Sequence, residues 1–410
     1  MVEWSVRTLS ELTENLDARR IPIKETDRRS GPYPYYGASG IVDYVDDYLF
    51  EGLHLLIAED GENLRTRKLP IAFLADGRFW VNNHAHIVKG NDNADTRFLL
   101  YALLTADVTS YLSGSTMPKL TKGNLNRIPI FAPGKKHQQA IASVLGALDD
   151  KIELNRRMNE TLEAMARAIF KDWFVDFGPT RAKMEGRAPY LAADIWSLFP
   201  DSIDDGGIPE GWTVGALSDV ANLNPESWSR ANYPATVDYV DLSNTKWGTI
   251  EAITPFASDA APSRAQRILR PGDTIVGTVR PGNGSYAFVS APGLTGSTGF
   301  AVLRPTKNIF REAVYLAATS KENIDRLSHL ADGGAYPAVR PELVAATEIV
   351  GAPESLFAAF NAATSALLDR AEANKLESRT LAATRDLLLP KLMSGEIRIK
   401  DAEKIAGEAA

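Results

Sequence analysis

Two stretches decide the fold: LDDKIELNRRMNETL, Leu148–Leu162, and LLDRAEANKLESRTL, Leu367–Leu381. Laid over each other without a gap, they match Leu148 with Leu367, Asp150 with Asp369, Glu153 with Glu372 and Asn155 with Asn374. Thr161-Leu162 matches Thr380-Leu381 in the same frame. The offset is roughly 220 residues, far longer than a solenoid repeat, so a whole domain-plus-helix unit is written twice.

The repeat extends upstream of both stretches. Each half opens on a Trp-led strand, EWSVRTLSEL at Glu3 and GWTVGALSDV at Gly211. Short β-like runs broken by Gly and Pro follow, among them HLLIAEDG, LPIAFLADGRFWVNNHAHIVKG, GDTIVGTVRPGNGSYAFVS and TGFAVLRP. Each half then has a short helical run, TRFLLYALLT or REAVYLAATS, and a Pro-marked loop and strand. Pro118 and Pro337 keep the offset of the opening pair.

Each half closes on one long helix. Ile141, Leu145, Leu148, Ile152, Asn155, Asn159, Leu162, Ala166, Ile169 and Trp173 step by four and three, as do Leu356, Phe360, Ala363, Leu367, Arg370, Asn374, Glu377, Leu381, Thr384 and Leu388. This is heptad spacing, which predicts two helices of roughly 50 Å packed along a seam. Asn155 and Asn374 fall at equivalent seam positions, where a buried polar pair fixes register. Repeated halves related by an approximate two-fold axis place the helices antiparallel. Pro390 is expected to stop the second helix, and the Ala/Lys/Glu-rich tail after it to be loose. The fold class is therefore α+β: two repeated α/β domains with an antiparallel coiled coil of two long helices.

A chain of 410 residues exceeds one core, and its composition is that of an ordinary globular protein. There are no cysteines, which excludes a disulfide scaffold or a thiolate zinc site and fits a reducing cytoplasm. No apolar run spans a bilayer, and MVEWSVRTLSELTENLD lacks the pattern of a secretory signal. The net charge of −7 argues mildly against nucleic acid, but its distribution does not. Val108–Leu148 contains no Asp or Glu, and Asp273 is the only acid in Ala260–Arg311, while both stretches carry several Lys and Arg. Two basic stretches in an acidic chain make two anion-binding faces.

No catalytic constellation is apparent. The P-loop, the dinucleotide cradle and the Asn/Asp-Pro-Pro-aromatic tetrapeptide of amino-methyltransferases are all missing. His84 and His86 form an H-x-H expected on one face of a strand, without convergent carboxylates to make a metal site. EIRIK at Glu396 reads as a strand of alternating charge rather than a nuclease motif.

Polar loops recur in both halves. The first half offers Tyr35, Tyr36 and Ser39; Arg65, Arg67 and Lys68; Asn82, Asn83 and His84; and Ser115, Thr116, Lys119 and Lys122. The second offers Asn244, Lys246 and Trp247; Arg264; Arg280, Asn283, Ser285 and Tyr286; Ser297 and Thr298; and Tyr336 and Arg340. Asn and Arg can read base edges bidentately, while Ser, Thr and Lys suit phosphates. Lys119 and Lys122 are the expected phosphate contacts, and Asn82, Asn83 and Arg280 the expected base readers.

In YYGASGIVDYVDDYLFEGLHLLIAEDG, NNHAHIVK, GSTMPKLTKGNL, IASVLGALDDKIELNRRMNETLEAMARAIFKDWFVDF, AYPAVRPELV and LPKLMSGEIRI the chain resembles the specificity subunits of Type I restriction–modification enzymes. The resemblance implies target-recognition domains at 1–133 and 210–353, long helices at 134–178 and 354–393, a linker at 179–209 and a tail at 394–410. It implies double-stranded DNA as ligand, each domain reading half of a split asymmetric site, with the coiled coil setting the spacing. Partners implied are two modification (methyltransferase) subunits and motor-nuclease restriction subunits. S-adenosylmethionine, ATP and Mg would belong to those partners, with no cofactor in this chain and no catalysis of its own. The second helix lacks a counterpart of KDWFVDF, so the first docking surface is the better marked. A different reading makes the chain a coiled-coil adaptor whose β-rich heads bind something other than DNA.

Overall fold

A computed structural model describes residues 3–334 and 336–409. Ala335, inside the AYPAVRPELV stretch, and the outermost residues of the first and last expected segments lie outside them. The chain forms two compact units, Met1–Leu154 with Glu377–Ala410, and Asn155–Leu376.

The first unit holds two four-stranded sheets. In one, Thr13–Asn15, Ala85–Gly90, His54–Ala58 and Ala72–Ala75 pair in that order, all antiparallel. In the other, Gly40–Val45, Tyr33–Gly37, Arg78–Val81 and Phe50–Glu51 pair in order, with one parallel contact, Tyr35 opposite Trp80. A ribbon of Trp4–Thr8 and Pro129–Pro133 brings the ends of the domain together.

The second unit repeats this plan. Ala221–Leu223, Phe300–Pro305, Thr274–Gly277 and Tyr286–Phe288 make the antiparallel sheet. Thr254–Ala257, Thr236–Val240, Leu294–Ser297 and Ala265–Ile268 make the mixed one, again with one parallel pair, Asp238 opposite Leu294. Thr213–Ala216 and Glu348–Gly351 form the closing ribbon. The Trp-led and Pro-marked strands of the sequence are these ribbons. The central strands, such as His54–Ala58 and Thr274–Gly277, are apolar and buried on both faces, as fits a strand covered by helices on one side and the other sheet on the other.

The long helices are α1, Lys135–Phe174, and α2, Glu354–Ser394. Each unit contains one half of each, packed antiparallel. In the first unit Asp149 pairs with Arg385 at 2.7 Å and Lys151 with Glu377 at 3.4 Å, so residue numbers climb on one helix as they fall on the other. In the second, Phe170 meets Phe360 and Phe174 stacks on Phe357.

The buried stripe of α2 departs from the expected heptad. Phe357, Phe360, Thr364, Leu368, Ala371 and Asn374 are buried, while Ala363 and Arg370 are exposed. In this half α2 lies against a broad aromatic core as well as the facing helix, so the buried stripe widens, and the line expected at Leu356, Ala363 and Arg370 runs one position on, through Phe357, Thr364 and Ala371. Multiples of seven hold along the whole helix, from Phe357 through Thr364 to Ala371 and from Phe360 through Asn374 and Leu381 to Leu388.

Four further expectations are corrected. Helix α1 stops at Phe174, and Trp173 and Phe174 turn into the second unit's core rather than outward. The segment expected as a linker is folded: Pro179, Thr180 and Ala182 are buried in a helix, and Phe199 packs edge-on to Trp173 at 5.3 Å. Pro390 lies inside α2, which runs on to Ser394 and ends at Gly395 with φ +75°. Its missing N–H is offset by the burial of Leu388, Leu392 and Met393 on either side. The tail is neither loose nor a strand at EIRIK. Ile399–Ala409 forms a helix, α3, that places Ile399, Ala402, Ile405, Ala406 and Ala409 against the first unit's core.

Candidate nucleic-acid interface

Strand ends in each unit bring three of the predicted loops to one junction. In the first, Glu59 N donates to His84 O at 2.9 Å, Leu120 N to Glu59 O at 2.8 Å and Gly61 N to Pro118 O at 3.1 Å. In the second, Thr278 N donates to Gly299 O at 2.8 Å, Val339 N to Thr278 O at 2.9 Å and Arg280 N to Pro337 O at 2.7 Å. Apart from the His84/Gly299 acceptor, these positions correspond at the 219-residue separation of Asn155 and Asn374. The loops differ in side chains but share a backbone frame, because main-chain hydrogen bonds carry no sequence information.

The frame exposes a set of polar groups. Asn83, His84, Ser115, Thr116, Lys119 and Lys122 are exposed in the first unit, as is Ser39, beside the strand whose Tyr36 O accepts from Asn82 N. In the second, Thr298, Asn283, Arg280, Tyr336 and Arg340 are exposed around the junction. Trp247 joins them through its N–H to Gly284 O at 2.7 Å, with exposed Lys246 beside it. Arg264 joins through the Thr298 N–H to its carbonyl, and its guanidinium pairs with Asp241 at 3.1 Å. The Arg280 guanidinium lies over the Tyr336 ring, 4.7 Å from its centroid.

Other predicted residues serve the scaffold. Tyr35 is buried, its hydroxyl accepting from Ile23 N at 3.0 Å. Tyr36 packs on Phe73 and Phe79, and burial raises its pKa. Tyr286, Ser285 and Ser297 are buried, and Ser285 Oγ donates to Leu242 O. Asn82 is buried, and its side-chain oxygen accepts from His84 N. Asn244 is half-buried. Arg67 takes a left-handed turn and donates to the carbonyls of Ala106, Leu103 and Leu104, capping the helix Thr96–Thr105. Arg65 and Lys68 are not part of that scaffold: both are exposed, Arg65 pairing with Glu62 at 3.1 Å.

The two histidines of the H-x-H face different partners rather than one site. His84 precedes the strand and meets Asp60 at 2.8 Å; His86 is buried, 2.6 Å from Asp17 and 2.7 Å from Leu120 O. Among the described residues no group of His, Asp and Glu could hold a metal.

Beneath the first junction is a charged cluster that sequence reading missed. Asp17 accepts from His86 and from Ile87 N, and Arg20 donates to Glu59 at 2.8 Å and to Ala85 O. Lys119 Nζ is 3.2 Å from the other Glu59 oxygen. Burial opposes both carboxylates, but His86 and Ile87 N outweigh it at Asp17, and Arg20, His86 and Lys119 do so at Glu59, so both pKa values lie below the ordinary range. The second junction has Thr278 at the place of Glu59 and Val279 at that of Asp60, and needs no such cluster. Sequence offers no signal for pairs such as Asp17 and His86, 69 positions apart. Met117 was also passed over, although the repeat sets it opposite Tyr336.

Comparison with known proteins follows the same outline. Residues 1–164 match the family described as Type I restriction modification DNA specificity domain. A Haemophilus influenzae protein described as a type I restriction enzyme specificity subunit is 40% identical over 148 residues, a match spanning 36% of this chain and only 37% of that relative. The HindI specificity subunit of the same species is 26% identical over 73% of this chain and 77% of its own. The MjaIX specificity subunit of Methanocaldococcus jannaschii is 23% identical over 97% of this chain and 94% of its own. The crystal structure of a Type I restriction–modification S subunit from M. genitalium has the same fold, with TM-score 0.61 and 17% identity over 95% of this chain and 96% of that one.

Proposed function

Since this chain belongs to the Type I restriction–modification specificity subunits, we propose that each of its two loop junctions reads one half of a split, asymmetric DNA site. The chain is the non-catalytic member of the complex. The observation that carries the reading is the duplicated frame: two backbone hydrogen bonds, repeated at one offset, present two different sets of polar side chains. Two different half-sites need two different readers on a common scaffold.

Lys119, Lys122 and Arg264 take phosphates in this reading, and Asn83, Arg280, Asn283 and Arg340 face base edges. Of the residues expected to bind DNA, those now assigned to the scaffold act by holding the readers. The recognition domains are residues 1–133 and 210–353, and the paired helices are the spacer between half-sites. S-adenosylmethionine, ATP and Mg belong to the partners. A groove of about 830 Å³ in the second unit, where Phe170 and Val175 of and after α1 meet Val214, Leu316 and Val350, is the docking place for a modification subunit. Exposed Val175 and Val214 at its rim favour an apolar partner surface.

The test is methylation mapping. The chain is co-expressed with its cognate modification subunit, and host DNA is sequenced for modified adenine. The expected result is one split motif with a fixed spacer. Exchange of residues 1–133 for those of another family member then changes one half only. A stable complex that leaves DNA unmodified and unbound would favour the adaptor reading.

A further inference from the structure

We propose that Met117 and Tyr336 are apolar wedges, one per unit, that insert into the DNA at their own half-sites; the proposal rests on the DNA-reading function above. Both are large apolar side chains at the tip of an exposed loop, 63% and 72% exposed. They occupy one position of the repeat. Each is followed by a proline, Pro118 or Pro337, whose carbonyl is tied to the junction.

Both loops are closed at their bases. Ser113 and Lys119 exchange both main-chain hydrogen bonds, at 2.8 and 2.7 Å, and Asp332 and Ala338 do the same at 3.1 and 2.9 Å. Gly114 and Gly333 take φ of +87° and +111°, and a Cβ on Gly114 would lie 2.3 Å from Met117 O. A turn by itself favours Asn, Asp or Gly at such a tip; a single exposed apolar side chain is ordinary, but here both repeats keep a large one at the same position. Keeping a large apolar group there in two otherwise divergent loops points to a partner that buries it. The neighbours say what kind. Lys119 and Lys122 follow Met117; the Arg280 guanidinium lies over the Tyr336 ring, and Arg340 follows it. A large side chain flanked by cations suits insertion between base pairs, with Lys119 and Lys122 on phosphates beside Met117 and Arg280 and Arg340 on the base edges beside Tyr336. Met and aromatic residues both unstack a base step when inserted.

The test uses the complex with its modification subunits and duplexes bearing the mapped split motif, with 2-aminopurine placed at each step in turn. With wild-type protein, fluorescence should rise several-fold at one step in each half-site. Met117→Ala should abolish the rise in one half-site and leave the other unchanged, and Tyr336→Ala should do the converse, each with an affinity loss of about tenfold. Met117→Leu and Tyr336→Phe should restore both. Unchanged fluorescence profiles and affinities within twofold for both alanine variants, with footprints intact, would overturn the wedge and leave the DNA-reading function standing. Absence of any footprint with wild-type protein would instead overturn that function.

Discussion

The side-chain amide of Asn155 donates to the main-chain oxygen of Asn374, its own counterpart in the repeat, at 3.4 Å. Asn374 in turn donates to Asn159 Oδ1 at 2.9 Å, and both asparagines are buried. A polar pair between helices that could otherwise be filled with leucine costs stability and fixes register. Asn374→Ala leaves Asn159 without that donor and should cost about 1–3 kcal/mol in urea unfolding. With Asn159→Ala as the background, Asn155→Leu with Asn374→Leu should be neutral or stabilising, because the polar side chains then leave together. If the double variant lost as much as the single one, the pair would be a stability element rather than a register device.

Arg67 separates scaffold from reader. Its guanidinium closes the C-terminus of the helix Thr96–Thr105 through three carbonyls, and its backbone has φ of 48°. Arg67→Gly keeps the backbone unstrained and removes only the cap. It should lower stability by about 1–3 kcal/mol and leave the methylated motif unchanged. A shifted motif would return Arg67 to the DNA surface.

The charged cluster under the first junction makes that unit sensitive to acid. Asp17 and Glu59 have carboxyl pKa values lowered on folding. Their stabilisation is complete above the ordinary carboxylate range and is lost as pH falls through the lowered values. Amide exchange of the strands His54–Ala58 and Ala85–Gly90 should therefore quicken as pH falls below about 4, once corrected for intrinsic rates. Asp17→Asn should cost about 3–5 kcal/mol at neutral pH, since buried His86 loses the carboxylate 2.6 Å from its ring, while Arg20 keeps Glu59. It should also flatten the remaining acid dependence; an unchanged slope would place the sensitivity elsewhere.

Much of this architecture was legible because the repeat is written in the sequence itself. The apolar strands, the two long helices and the equivalence of Asn155 with Asn374 follow from periodicity and one ungapped alignment. The loops were legible as a set but not one by one. Alternation in a strand decides whether Tyr35 or Tyr36 turns inward, and two covered sheets per unit left both partly inside. Tyr286 and Ser297 fell to the core for the same reason. Asp17 and His86 meet only through sheet pairing, which local pattern does not encode. The tail was misread by composition: Ala, Lys and Glu suggested disorder, whereas Ile399, Ala402, Ile405, Ala406 and Ala409 lie on one helical face.

That tail gives a further prediction. Helix α3 covers the first unit's core beside Leu148, and Trp4 packs over Gly395 just before it. Deleting residues 399–410 uncovers the equivalent of two to three half-buried apolar side chains, which should cost about 2–4 kcal/mol. Calorimetry should register a lower midpoint in the transition that involves the first unit and an unmoved one for the second. Equal shifts in both would mean that the units do not unfold separately.

Lys119 and Lys122 differ in a way that salt can reveal. Both are exposed, but Lys119 Nζ is 3.2 Å from Glu59 whereas Lys122 begins a short helix. Each phosphate contact removed should lower the slope of log K against log salt by about one, without changing sequence preference. Lys122→Ala should do only this. Lys119→Ala also uncovers the Glu59 carboxylate next to the phosphates, so its affinity loss at low salt should exceed that of Lys122→Ala. The excess should vanish in Lys119→Ala combined with Glu59→Gln. Asn83→Ala should instead leave the slope alone and relax preference at one base pair of a single half-site. A uniform loss across sequences from Asn83→Ala would move that residue from the bases to the backbone.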